Sequence, residues 1–199
     1  MAISNGYATL QDVKASLRVS DTYDDNLIEL AIESASRAID QYTGRNFYNA
    51  GTATRLFVAE SWDVVNIDDA ISISQVQTNL NNEWGTTWAS TDYQTEPLNG
   101  ISDGIPGWPI TRLRAINNYA FPIYRGEALV RVTGVWGWSA IPTAIKQATV
   151  LQSARFFKRN DSPTGFITSP DLGFIRIGTK LDPDVAMMID AYRSMRYYS

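Results

Sequence analysis

The chain has 199 residues, 44% hydrophobic and 19% charged, a net charge of −4, and neither cysteine nor histidine. Those proportions are ordinary for a globular protein, and the length suits one domain or a compact domain with a sizeable insertion, able to bury a core without a disulfide or metal staple. The missing Cys and His exclude disulfides, zinc sites of the usual ligand types, Cys or His nucleophile–base pairs and an imidazole proton shuttle.

Charge is uneven along the chain. Residues 1–100 carry 5 basic and 14 acidic side chains, and residues 101–199 carry 12 basic and 7 acidic ones. Such polarity suits a subunit that meets other subunits head to side, and it is equally what chance unevenness on a solvated surface gives. No apolar run approaches the ~20 residues that cross a bilayer. "MAISNGYATL" lacks the basic start and greasy centre of a secretory signal. The expectation is a protein made in the cytoplasm, which the missing cysteines also suit.

Helical signals come first. "ATLQDVKASLRV" places Leu10, Val13 and Leu17 on one face, with Thr9 and Asp12 spaced as a capping box. After the polar break "SDTYDDN", residues 25–42 set Ile28, Ala31, Ile32, Ala35, Ile39 and Tyr42 three and four apart, with acids gathered at the start of this second helix. Gly44 of "QYTGRNF" falls where a left-handed cap residue belongs, with Arg45 near the negative helix end. An anion-binding loop would need more glycines and a following helix start, so Gly44 is expected to be a structural cap.

From residue 54 to 138 the period shortens. "TRLFVA", "AISISQVQT", "TTWAS", "ITRLRAI" and "ALVRVTGV" read as strands separated by Gly-, Asn- and Pro-rich turns. Residues 97–109 read as a long exposed loop. Helices return with "PTAIKQATVLQSARFFKR", whose expected stripe is Ile145, Ala148, Leu151 and Ala154 or Arg155. A short strand-like "LGFIRIG" follows. A last helix has Asp182 as N-cap, Pro183 at its first position, and Val185, Met188, Ile189, Tyr192 and Met195 as its seam. The fold class is therefore α+β: a small bundle of about four helices from both chain ends, residues 1–49 and 140–199, with a central antiparallel β-rich insertion, residues 50–139.

Chemical signatures are sparse. Asp24/Asp25 and Asp68/Asp69 are adjacent in sequence, so their side chains diverge and neither pair is a ready acid–base dyad. "DTYDDNLIELAIE" lacks the glycine and the final glutamate of a calcium loop. No catalytic, metal or cofactor-binding residues are assigned. Trp84, Trp88, Trp108, Trp136 and Trp138 cluster in the β-rich middle, either anchoring a sheet or an interface or forming stacking platforms. Trp84 and Trp108, in turns, are the expected contact residues. Arg112 and Arg114 share a strand face, available for phosphate or partner contact or for cross-strand ion pairs with acidic residues.

The order of parts resembles a known family. A capped helix "TLQDVKASLRV", an acidic break, a helix ending in Tyr42-Thr43-Gly44-Arg45 and a β-rich insertion lead the chain. Gly137-Trp138, Ile141-Pro142, Ile145-Lys146-Gln147-Ala148 and a terminal helix with Pro183, Tyr192 and Arg193 follow. This is similar to the head–tail connector (adaptor) family of long-tailed double-stranded DNA bacteriophages. The doubled Trp136 and Trp138 depart from that pattern.

The resemblance implies a structural virion protein of the neck, assembled in the host bacterial cytoplasm. It implies a ring, commonly dodecameric, between the portal protein and a head-completion (stopper) or tail protein. Double-stranded DNA would pass through the bore without sequence recognition. It implies no enzymatic activity, cofactor or membrane. Portal docking is expected from Tyr192, Met195, Arg196, Tyr197 and Tyr198, because aromatic and Arg side chains are common interface anchors. Partner or subunit contacts are expected from Trp84, Trp108, Arg112 and Arg114. Acidic side chains lining the bore would keep phosphates from sticking. The alternatives are a carbohydrate-binding module stacking sugars on Trp84, Trp88 and Trp108, another phage structural protein, or a carboxylate-based hydrolase.

Overall fold

The structure is a computed structural model in which residues 3–80, 83–160, 166–169, 173–176 and 181–194 are described. It is α+β. Its elements in chain order are α1 (Leu10–Leu17), α2 (Asp25–Thr43), β1 (Asn49–Phe57), β2 (Val64–Leu80), β3 (Glu83–Trp88) and β4 (Tyr93–Glu96). Then come β5 (Ile101–Ser102), β6 (Ile105–Pro106), β7 (Ile110–Ala115), β8 (Val130–Gly137), α3 (Thr143–Asn160), β9 (Phe166–Ser169), β10 (Gly173–Arg176) and α4 (Pro183–Ile189). The chain divides into two compact units: Met1–Phe47 with Ile141–Ser199, and Tyr48–Ala140.

In the helical unit, local chemistry sets the helix ends. Thr9 accepts from the Asp12 N–H while Asp12 accepts from the Thr9 N–H, closing the capping box of α1. Asp182 accepts from the Asp184 N–H, with Pro183 at the first helical position of α4. Gly44 ends α2 at φ 68°, its N–H donating to the Asp40 carbonyl at 2.7 Å. Left-handed backbone of that kind favours glycine.

The α2 seam is Ile28, Ala31, Ile32, Ala35 and Ile39, all buried, and α3 packs against it. Each fully buried Ile contributes about 1.5–3 kcal/mol. The expected α3 stripe is shifted: Ile145, Ala148, Thr149, Gln152 and Ser153 are buried, while Leu151 is 42% exposed. Burying two hydroxyls here is cheap because each is satisfied on its own helix. Thr149 donates to the Ile145 carbonyl at 2.8 Å and Ser153 to the Thr149 carbonyl at 2.6 Å. Gln152 accepts from the Asp182 N–H at 3.2 Å, tying α3 to the start of α4.

Ion pairs tie the elements of this unit together, one of them, Lys146–Asp12, joining the basic second half of the chain to its acidic first half. Lys14 pairs with Asp25 at 2.5 Å, Lys146 of α3 with Asp12 of α1 at 3.0 Å, and Arg155 with Asp182.

The other unit is built on a sheet of order β1-β8-β2-β7-β4, with β3 also pairing β2, and every pairing antiparallel. The 17-residue β2 is its spine. Its first half pairs with β7 and its second with β8 and β3. Register shifts between Asn66/Ala70, Ala70/Ser72 and Ile73/Gln75 interrupt the ladder, and bulges of this kind bend and twist a strand. Strand β8 alternates as its sequence predicts, with Val130, Val132 and Trp136 buried and Arg131 and Thr133 only partly so.

The doubled tryptophan has a local cause. Gly137 sits at φ +99°, and a Cβ there would lie 1.9 Å from the Tyr48 carbonyl oxygen. The turn-over at Gly137 lets both neighbouring indoles enter the interior, leaving Trp136 0% and Trp138 3% exposed. Residues 97–109 form the β5–β6 hairpin rather than an open loop, closed by the Trp108 N–H on the Gly100 carbonyl at 2.9 Å.

Candidate interaction surfaces

Most residues singled out from the sequence are held within their own unit. Gly44 is the helix cap. Arg45, expected near the end of α2, donates its Nε–H to the Tyr192 carbonyl at 2.9 Å. Tyr192 is buried, its ring 5.8 Å from that of Phe47 in an edge contact, so it serves the core of the helical unit. Met195, Arg196, Tyr197 and Tyr198 lie outside the described residues.

Trp108, expected at a contact surface, is buried against Trp138 with ring centroids 5.2 Å apart, because closure of the β5–β6 hairpin carries it inward. Trp84 is half-buried beneath Arg131, whose guanidinium lies 4.6 Å from the ring centroid. Arg112 and Arg114 do share a face, alternating with buried Leu113 and Ala115. Register puts Glu96 opposite Arg112, and the carboxylates on neighbouring elements claim both cations. Arg114 pairs with Glu96 at 2.8 Å and with Asp63 at 2.7 Å; Arg112 lies 3.6 Å from Glu96 and donates to Asn66 at 3.0 Å. The hydrogen bond and charge of Glu96 raise the Arg114 pKa, as a cross-strand ion pair does.

The tryptophans do not form an aligned sugar platform. Trp88 is buried and stacked on Phe121 at 4.6 Å, its Nε1–H donating to Thr78 at 3.3 Å. With Trp88 and Trp108 both inside, two of the three residues expected to stack sugars are out of reach.

A tryptophan that does face solvent is one for which the sequence raised no expectation. Trp62 is 64% exposed in the β1–β2 turn, and its carbonyl accepts from the Phe121 N–H at 2.7 Å. That bond brings the β7–β8 loop alongside, with exposed Tyr119, Ile123 and Tyr124; Arg125 lies 5.1 Å from the Tyr124 ring. Exposed aromatics with Arg are the composition of protein-contact surfaces. The one sequence hint is a tryptophan inside the polar turn "ESWD".

Two further surfaces, an apolar one and a mixed groove, belong to the helical unit. Tyr23, Leu27 and Leu30 are exposed at the start of α2. A groove of about 330 Å³ is lined by Ser16 of α1, by Leu151, Ala154 and Lys158 of α3, and by Val185 of α4.

None of these surfaces resembles a reaction centre. Asp68 pairs with Arg55 at 2.8 Å while adjacent Asp69 accepts from Trp138 Nε1–H at 2.9 Å, so the two carboxylates serve different partners. Among the described residues no group of three or more acidic side chains could hold a metal ion, and no helix is long and apolar enough to cross a membrane.

Tyr7 and Asp40 form a titratable pair packed into the helical unit. Burial, and then its hydrogen bond to Asp40, raises the tyrosine pKa; burial, helped by the charge of Glu33, also raises that of Asp40, against the lowering effects of Tyr7 and Arg37. With Tyr7 1% exposed, this pair acts as an internal tie between the chain start and α2.

Comparison with known proteins bears on the whole arrangement. No curated protein sequence matches the chain. Among solved structures, a chain from the neck of an empty GTA particle, computed with C6 symmetry, aligns over 98% of this chain and 94% of its own, with a TM-score of 0.58 and 16% identity. A chain from the neck of a native GTA particle, computed with C12 symmetry, aligns over 98% and 93%, with a TM-score of 0.54 and 16% identity. At that identity the likeness is one of fold. Residues 7–86, running from just before α1 into β3, match the family of phage gp6-like head–tail connector proteins, so that segment is similar to theirs.

Proposed function

We propose that this chain is a structural subunit of a phage neck, placed as a ring between the portal protein of the filled head and the head-completion or tail proteins, with double-stranded DNA running through the bore. The observation that carries the reading is the pairing of a connector-family segment with an end-to-end fold likeness to chains from necks of six- and twelvefold symmetry. A twelvefold ring is the stoichiometry this reading adopts. The role asks for packing surfaces rather than bond chemistry. The exposed aromatic surface around Trp62 and the apolar ridge of α2 supply such surfaces. The reading assigns the chain no catalysis and no cofactor.

Within it, portal docking belongs to the end of the chain beyond Tyr192, since Tyr192 itself is committed to the core. The test is deletion of the gene for this chain from the particle that encodes it. Filled heads and free tails that no longer join, restored by supplying the chain, are expected. Normal joined particles without it would overturn the proposal.

A further inference from the structure

Helices α2 and α3 pack against each other, with Ile28, Ile32 and Ile39 forming the buried seam of α2 and Ile145, Ala148 and Gln152 that of α3. At about 100° per residue, a side chain half a turn from such a seam points away from the partner helix. Leu27 and Leu30 therefore stand off the buried seam of α2, at 44% and 52% exposure, and Tyr23, just before the helix, is 94% exposed. Leu151, Ala154 and Lys158 likewise stand off the buried seam of α3. The two surfaces differ in form. The first is a ridge on one helix. The second is the floor of the groove between the end of α1 and the start of α4.

We infer that the α2 ridge of one copy seats in the α3 groove of the next, in the neck ring proposed above, on which this inference rests. Two unlike surfaces at different places on one subunit make a head-to-tail contact, and such contacts close into rings when the rotation permits. A twofold pairing would instead set each surface against itself. Seating α2 antiparallel to the neighbour's α3 brings Asp24, at the acidic start of α2, beside the basic end of α3, Lys158 and Arg159; the adjacent Asp25 is already held by Lys14. Opposite helix poles then meet as well. The groove also carries Asp182, already paired with Arg155, and Asp184, so the charge match rests on Lys158 and Arg159. Leu27 and Leu30 against Leu151 and Ala154 form the dry centre of the contact, where most binding energy resides.

The natural absence of cysteine allows a direct test. Leu27→Cys and Leu151→Cys are introduced singly and together in the full chain, purified and on isolated necks, and treated with a short bis-maleimide. The double variant is expected to give a ladder of covalent multimers, a mixture of the two single variants to stop at dimers, and either single variant alone to stay monomeric. Equal dimer formation by one single variant would show a twofold contact and overturn the inference. So would the absence of a ladder, whether the chain is monomeric or sits in an intact multi-copy neck. A ladder-free neck would leave the connector reading standing, whereas particles that join without this chain overturn that reading itself. Leu30→Arg, with an unchanged circular dichroism spectrum, is expected to abolish the ladder in the double-cysteine chain. A ladder that survives Leu30→Arg in a folded chain counts against this seat.

Discussion

Replacing Tyr7 by phenylalanine isolates one hydroxyl at the centre of the helical unit. The ring stays, with its edge contact to Phe47 at 5.6 Å. What goes is the hydroxyl that donates to Asp40 and accepts from the buried Phe47 N–H at 2.9 Å. A hydrogen bond to a charged group contributes about 1.5–3 kcal/mol, and a buried donor left unpaired costs about 1–3 kcal/mol. The two losses share one atom and do not simply add, so the expected cost is about 3 kcal/mol. For a chain of this size that lowers Tm by about 6–12 °C, at about 2–4 °C per kcal/mol. Urea denaturation followed by circular dichroism should show a lower midpoint at unchanged slope.

The penalty should also depend on pH. Burial raises the Asp40 pKa above its ordinary value of 3.8, so the stability tied to its protonation is present below 3.8 and is lost as pH rises through the folded value. Tyr7 favours the ionised carboxylate, so Tyr7→Phe must cost more above the raised folded pKa of Asp40 than below it. A penalty below about 1 kcal/mol, or one that grows toward acid pH, would refute the assignment of Tyr7 as the tie between chain start and α2.

Other substitutions probe other links. Gly137→Ala puts a Cβ 1.9 Å from the Tyr48 oxygen at a positive φ, and a loss of about 3 kcal/mol or failure to fold is expected in thermal melts. Thr9→Ala removes the α1 cap at about 1 kcal/mol, measured by denaturant titration. Hydrogen bonds from Thr9, with a smaller contribution from Lys146, hold Asp12 at about 2, below its ordinary 3.8. Its stabilisation is full above 3.8 and is lost as pH falls through about 2, so Asp12→Asn should flatten the acid limb of the stability–pH curve. Leu151→Ser, on the outer face of α3, should leave fold stability within about 0.5 kcal/mol, whereas Gln152→Leu strips an acceptor from the Asp182 N–H and should cost about 1–3 kcal/mol.

Local rules made the helix ends legible before any coordinate. Thr9 with Asp12, Asp182 with Pro183, and Gly44 each act within one turn of chain, and each stands where its spacing says. The alternation of β8 and the shared face of Arg112 and Arg114 likewise need only the two-residue period of a strand. Tertiary structure decided what covers each face. The stripe read on α3 went to Leu151 because hydrophobicity counts against Thr149, Gln152 and Ser153. Their polar atoms are instead satisfied by the Ile145 and Thr149 carbonyls and the Asp182 N–H, which a sequence does not price. Six tryptophans look alike in a row of letters, yet Trp88, Trp108, Trp136 and Trp138 are inside while Trp62 faces water. That division depends on register shifts along β2 and on the closure of hairpin β5–β6, contacts between residues far apart in the chain. Sequence sets the local backbone because the energies involved reach only a few residues; which side chains meet depends on how the strands and helices pack, and that is settled only when the whole chain is folded.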